Sequence, residues 1–183
     1  MTLPKTADSV IIGGGCMGAS VAHYLAERGA QKILLLEREK FLGMGSTGRN
    51  AGGVRHQFST EVNVRLSIFS LDVIARFEEL FGISAGYHPI GYLFLLTTPG
   101  EVAEFKSNLA MQNRLGVTRA QFLSPDEIAR LVPRVNLDGI IGGTFCPSDG
   151  LADPNSVTQG YARAARQLGA QIETETTVTG IQL

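Results

Sequence analysis

Two short apolar runs near the start of the chain contain no polar member, Val10-Ile11-Ile12 and Ile33-Leu34-Leu35-Leu36. Runs of this length without alternation read as strands covered on both faces. Between them, 16–28 fits one helix, and Gly29 is placed to end it. The second strand spans 32–37. Further on, Val62, Leu66, Phe69, Val73, Phe77 and Leu80 recur at three- and four-residue spacing, which predicts one long helix over 60–81 with those residues on its buried face, stopped by Gly82. Residues 90–98 are strand-like and are punctuated by Pro99-Gly100. A helix over 101–115 would bury Val102, Phe105 and Leu109, with Gly116 after it. Ser124-Pro125-Asp126-Glu127 is a capping box with proline at the first helical position, so a short helix runs towards Leu131. Residues 139–146 form another strand candidate. Asp153-Pro154 opens a helix to Leu168, which Gly169 ends, and 170–174 and 177–183 complete the strand candidates.

The turn after the first strand carries chemistry. Gly13, Gly15 and Gly18 form Gly-x-Gly-x-x-Gly, and Glu37 closes the second strand nineteen residues after the third glycine. The first glycine allows a tight turn, the second lets backbone approach a pyrophosphate, and the third lets helix pack close to strand. The helix start adds free N–H groups and a partial positive charge. Glu37 is placed to accept hydrogen bonds from ribose hydroxyls and to repel a 2′-phosphate. The expected ligand is NAD or FAD rather than NADP. A second glycine-rich loop follows, from Gly43 to Gly53.

Composition narrows the classes. The chain has 183 residues, 44% hydrophobic and 18% charged, with a net charge of −1. That is ordinary for a globular protein and favours neither nucleic acid nor an anionic membrane. No apolar run is long enough for a membrane span. Cys16 and Cys146 make no disulfide framework and suit a reducing compartment such as the cytoplasm. Three scattered histidines and two distant cysteines match no zinc spacing, and there is no Gly-x-Ser-x-Gly elbow for hydrolase chemistry. Cys16 reads as a small residue that fits its loop. His23, His56 and His88 read as structural.

The segment Val10 to Gly18, then Ala22-His23-Tyr24-Leu25-Ala26 and Leu35-Leu36-Glu37, resembles the start of flavoproteins related to D-amino-acid oxidase. Gly45-Ser46-Thr47-Gly48-Arg49-Asn50-Ala51-Gly52-Gly53-Val54-Arg55-His56-Gln57-Phe58-Ser59 resembles the sarcosine oxidase and sarcosine dehydrogenase branch, as do Pro147-Ser148-Asp149-Gly150 and Asp153-Pro154. The resemblance spans nearly the whole chain and is looser between about 85 and 140.

The resemblance implies an α/β fold: a Rossmann-type FAD-binding domain from 1–85 and 150–183, with 86–149 forming part of an inserted α+β substrate domain. It implies FAD as cofactor, held by Gly13, Gly15, Cys16, Met17, Gly18, Glu37, Arg38, Gly45, Ser46, Thr47, Arg49, Asn50, Ala51, Gly52, Gly53 and Val178. By the same resemblance Arg55 holds the substrate carboxylate, a task suited to paired planar donors. The implied reaction is oxidation of a small secondary or N-methylated amino acid (sarcosine, proline or glycine type), with hydride passing to flavin N5 and then to oxygen or another electron carrier. An NAD-dependent dehydrogenase, and a non-catalytic flavoprotein subunit or assembly factor, remain as alternatives. Members of the family continue well past this length. The chain therefore reads as their N-terminal part, with the C-terminal half missing, and is expected to be inactive alone, to bind FAD weakly and to self-associate or take a partner chain.

Overall fold

The computed structural model describes residues 3–182. In chain order the elements are β1 (Ser9–Ile12), α1 (Cys16–Glu27), β2 (Ile33–Leu36), a 3-10 turn (Ser46–Arg49), β3 (Gly53–Val54), α2 (Glu61–Ala75), α3 (Phe77–Phe81), β4 (Tyr92–Leu96), α4 (Pro99–Arg114), β5 (Gln121–Leu123), α5 (Pro125–Leu131), β6 (Gly142–Cys146), β7 (Gly150–Leu151), α6 (Pro154–Gln167) and β8 (Gln171–Glu173). They form two compact units, Met1–Gly52 with Arg76–Gly86 and Ala152–Leu183, and Gly53–Ala75 with Tyr87–Leu151.

The first unit is built on a parallel sheet of order β1-β2-β8. Ser9 lies opposite Ile33, and Leu34 opposite Gln171. The central strand β2 is buried along its whole length, as its unbroken apolar run requires. Strand β1, read from sequence as buried on both faces, instead alternates, with Val10 and Ile12 more than half exposed. Only β2 pairs with it among the described residues, and α1 lies over its Ile11 side, where a Cβ on Gly18 would stand 3.4 Å from the Ile11 side chain. Ala19 and Ala22 of α1 and Ala162 and Ala165 of α6 are all fully buried. Small side chains let these two helices approach closely. His23, Tyr24, Phe77, Phe81 and Tyr161 form one ring cluster at their side, with mostly edge-on or tilted contacts 4.5–5.9 Å between centroids. Asp153 caps α6 by accepting from the N–H groups of Asn155 and Ser156, and Gly169 leaves the helix at φ +93°, as the sequence predicts.

The second unit carries an antiparallel sheet of order β4-β6-β5 and the short ribbon β3-β7. Its core joins Val64 of α2, Val117, Ala120 and Cys146, with Phe58, Ile68 and Leu109 against them. Ser124 and Glu127 close the expected capping box on α5. A second box, Thr98 with Glu101, opens α4. Pro99-Gly100, read as punctuation after a strand, is thus the first turn of that helix.

Several expectations need correction. The single helix over 60–81 is two, broken at Arg76, where the chain leaves one unit for the other. Its buried face is also different. Val73 and Phe77 are buried as expected, but Val64, Ser67 and Leu71 are buried with them, whereas Val62, Leu66 and Phe69 are about 60% exposed and Leu80 is exposed too. With apolar residues on two sides of α2, spacing alone selects the wrong stripe. The strand expected over 177–183 does not form: 177–182 pairs with nothing as a strand, and Leu183 lies outside the described residues. Strands β3, β5 and β7 were not read from the sequence. They are two or three residues long, too short for alternation to register. Residues 53–75, assigned to the first domain, pack with the second unit.

Candidate functional site

In the first unit the end of β1 and the start of α1 form a cradle. Gly13 turns at φ +105° and its N–H donates to Leu36 O at 2.8 Å. A Cβ on Gly18 would stand 1.9 Å from Gly13 O, so that glycine is dictated by close helix-to-strand packing. Gly15 is the extended residue before the helix, with no side-chain cap, and the first turn of α1 holds no acid. The helix start therefore keeps its positive end for an anion.

Beyond the strand ends lies a cleft of ≈ 580 Å³. Of the residues singled out by sequence, Gly13, Gly15, Met17, Gly18, Glu37, Arg38, Gly45, Ser46, Thr47 and Val178 line it. Ile12, Leu36, Glu39, Thr176 and Thr177 line it as well and were missed. Ile12 and Leu36 were legible as last strand residues, since ligands bind beyond the carboxyl ends of such strands. Thr177 was hidden in a stretch read as strand, and Thr176 in the gap between two such stretches. Backbone bonds bring them there: Glu37 N donates to Glu173 O, and Thr176 N to Glu37 O, both at 2.8 Å.

Glu37 is already engaged. Its Oε2 accepts from Gly14 N at 2.6 Å and its Oε1 from Glu39 N at 2.9 Å. The carboxylate thus ties the glycine turn to the end of β2, keeps further acceptor capacity, and belongs to a residue that lines the cleft. Thr47 ties the second loop to the first, since Cys16 N donates to its Oγ1 at 3.0 Å. Cys16 itself does not line the cleft, and burial pushes its thiol pKa up.

The rest of the second loop lies outside the cleft. Asn50 folds the loop on itself, donating to Thr47 O and accepting from Gly52 N. Gly52 has φ +76°, and a Cβ there would meet Ala152 O at 2.3 Å. Arg49 and Ala51 are exposed. Gly53 belongs to β3 of the other unit, 3.3 Å by its absent Cβ from the Tyr92 ring.

In the second unit Arg55 sits among three rings. Its guanidinium carbon lies 4.8 Å from the centroid of Phe58, 5.1 Å from Phe94 and 5.5 Å from Tyr92. Its Nε is buried without a hydrogen-bond partner. It lines a small pocket of ≈ 180 Å³ that also holds Gln57, Glu104, Asn108 and Gln112.

Next to it the fold assembles a polar cluster that sequence spacing concealed. Asp149 is fully buried. Its Oδ1 accepts from His56 N at 2.8 Å and lies 2.7 Å from His56 Nδ1, while its Oδ2 accepts from Gln57 Nε2 at 3.1 Å. Burial alone would lower the His56 pKa, but the bonds to Asp149 and the neighbouring Cys146 outweigh it and raise it to about 9. His56, Cys146 and Asp149 bring one ligand atom each within 4.8 Å of one another, so residues read as scattered do converge. His56 Nδ1 and Asp149 Oδ1 already lie at hydrogen-bond distance from each other. His88 lies in a backbone bridge to Leu151, and His23 packs in the ring cluster described above.

No helix among the described residues is long and apolar enough to cross a membrane. The model of the family described as "FAD dependent oxidoreductase" matches residues 8–183. Dimethylglycine dehydrogenase, mitochondrial, from Rattus norvegicus is 36% identical over 177 residues, 96% of this chain and 20% of that protein. Sarcosine dehydrogenase, mitochondrial, from Homo sapiens is 35% identical over 182 residues, 99% of this chain and 20% of that protein. The chain thus spans about a fifth of the length of these relatives. The crystal structure of L-proline dehydrogenase from P. horikoshii superposes with a TM-score of 0.87 at 37% identity, covering 98% of this chain and 47% of that one. With the glycine cradle, the acid at the second strand and a match over nearly all its length, the chain belongs to the family of FAD-dependent oxidoreductases.

Proposed function

We propose that this protein holds FAD in the glycine cradle and oxidises a small secondary or N-methylated amino acid. The observation that carries the cofactor's placement is the ≈ 580 Å³ cleft, in which a helix start without an acid, two glycines and Glu37 converge. The space beside Gly13, where a Cβ would meet nothing within 4 Å, leaves room for a pyrophosphate near the N–H groups of α1, while the missing Cβ of Gly15 lets Thr47 Oγ1 come close to the turn. Glu37 can take ribose hydroxyls while it keeps the turn in place. Gly45, Ser46, Thr47 and Val178 line the same cleft. Family membership favours FAD over the NAD alternative. Bound FAD supplies the redox chemistry, acceptance at N5 of a hydride from the carbon bearing the nitrogen.

The substrate class rests on two supports. Two relatives carry the names dimethylglycine and sarcosine dehydrogenase, and a solved neighbour is an L-proline dehydrogenase; all three names denote amino acids with an alkylated nitrogen. Arg55, for its part, has no acidic partner among the described residues and leaves a buried donor unsatisfied. The three rings beside it carry no negative charge, which leaves its N–H groups to a carboxylate.

The test is a pair of substitutions. Glu37→Ala should weaken FAD binding by about 1–3 kcal/mol, the loss of a charged hydrogen-bond partner, read as loss of bound flavin absorbance. Arg55→Lys should leave the flavin spectrum unchanged and raise KM for sarcosine, dimethylglycine or proline. Unaltered FAD affinity in the first variant would sink the cradle assignment. An unaltered KM in the second would remove Arg55 from the substrate site.

A further inference from the structure

Arg55 is followed by two residues tied to a single carboxylate. His56 donates from its backbone N, and its ring pairs through Nδ1, to Asp149 Oδ1, 93 positions later. Gln57 donates from Nε2 to Asp149 Oδ2 and to Tyr92 O, at 3.1 and 2.9 Å. The same amide therefore fastens the carboxylate to β4, the strand whose Tyr92 and Phe94 stand against the Arg55 guanidinium. A fully buried carboxylate is costly unless it is paired and hydrogen-bonded, and among the described residues the hydrogen-bond partners of this one come from 56–57. The groups around the His56 ring are Asp149 and Cys146, with Arg119 and Ser148 sharing its small pocket and Tyr87 within range of Asp149, Cys146 and Arg119. The charge of Asp149 is thus matched by His56 and not by Arg55, which keeps the guanidinium free for another anion.

We propose that Asp149 is a positioning residue: through the His56 ring and the Gln57 amide it fixes the 55–57 segment and holds the Arg55 guanidinium among Phe58, Tyr92 and Phe94, ready for a substrate carboxylate. The proposal rests on the reading of Arg55 given above. It differs from a purely structural role because it requires the Arg55 side chain itself to move when the clamp is cut.

The experiment follows the Arg55 Nε–H resonance in the ¹⁵N-labelled chain, where three nearby rings displace the proton shift. Asp149→Asn keeps the shape but removes the charge, and His56→Leu removes the ring donor. Both are expected to return the Arg55 signal toward that of a solvated arginine. His56→Asn places an amide donor where Nδ1 stands and is expected to retain the parent signal. If Asp149→Asn does not fold, the two His56 variants decide the matter. An unchanged Arg55 signal in folded Asp149→Asn and His56→Leu overturns the proposal. In the FAD-loaded protein the same two variants are expected to weaken binding of a small carboxylate such as propionate about tenfold, or about 1.4 kcal/mol, with His56→Asn near the parent. A displaced Arg55 signal with unchanged propionate affinity would leave the clamp standing and refute the carboxylate role of Arg55 instead.

Discussion

The glycine cradle and the Arg55 cluster are two ways of building a polar site. In the cradle the parts are close in sequence. Gly13, Gly15 and Gly18 lie within six positions, and Glu37 reaches Gly14 across 23 positions. The geometry comes from backbone: a left-handed turn, a helix start and a strand end. In the Arg55 cluster the parts are side chains brought together over 92 and 93 positions, and a buried charge holds them. The first kind of site depends on the absence of side-chain atoms. The second depends on one carboxylate being present and paired. The two should therefore fail differently.

Asp149→Ala should have the largest effect. It leaves the His56 ring and the Gln57 amide in a buried place without their acceptor, and breaking a buried pair from one side costs about 3–5 kcal/mol. Denaturant unfolding should show that loss, with FAD affinity in the cradle little changed. Gly18→Ala should cost about 3 kcal/mol, at the upper end for overpacking, because the added Cβ would meet the backbone oxygen of Gly13 and no side chain can yield. Here FAD binding should fall together with stability. If Asp149→Ala strips the flavin while Gly18→Ala leaves it bound, the division of labour is wrong.

The same contrast explains what was legible in the sequence. The cradle could be read because Gly-x-Gly-x-x-Gly, two apolar runs and Glu37 stand in register. The capping residues Ser124, Glu127 and Asp153 could be read because a cap is local. Asp149 could not be read as a partner of His56, since nothing in either neighbourhood points across 93 positions. The stripe of Val62, Leu66 and Phe69 misled for a related reason: periodicity shows that a face is apolar, not what covers it. Thr176 reached the cleft through backbone bonds to Glu37, which carry no side-chain signature at all.

Each unit also holds a histidine that reports on it by pH, with opposite sign. His56 has its pKa raised to about 9 in the fold, against an ordinary value near 6.5. Its contribution is full below about pH 6.5 and is lost as pH rises towards 9, on the order of 3 kcal/mol. His23 is buried among rings, and burial lowers its pKa despite nearby Glu27. Its neutral form is the folded one, so stability from this site is lost as pH falls below the ordinary value near 6.5. Unfolding free energy measured across pH should decline on both sides. His56→Asn should flatten only the alkaline limb, and His23→Phe only the acid limb. Loss of both limbs in either variant would mean that the two histidines do not report on separate units.

Thr47→Val should have the smallest effect and is the finest test of the cradle. The change keeps the volume and removes only Oγ1, the acceptor for Cys16 N at 3.0 Å. That N–H is part-buried at the helix start, and the loss of one such bond is worth about 0.5–1.5 kcal/mol. If Thr47 serves only to hold the second loop against α1, stability should fall by that amount and FAD affinity by no more. If the hydroxyl also faces the cofactor, as its place on the cleft wall allows, FAD affinity should fall further than stability does. Cys16 N would then be free to turn towards the anion, so the variant's affinity should also show a different dependence on salt, because an N–H at a helix start acts through charge that salt screens. Equal losses in stability and affinity, with the same salt dependence as the parent, would confine Thr47 to holding the loop.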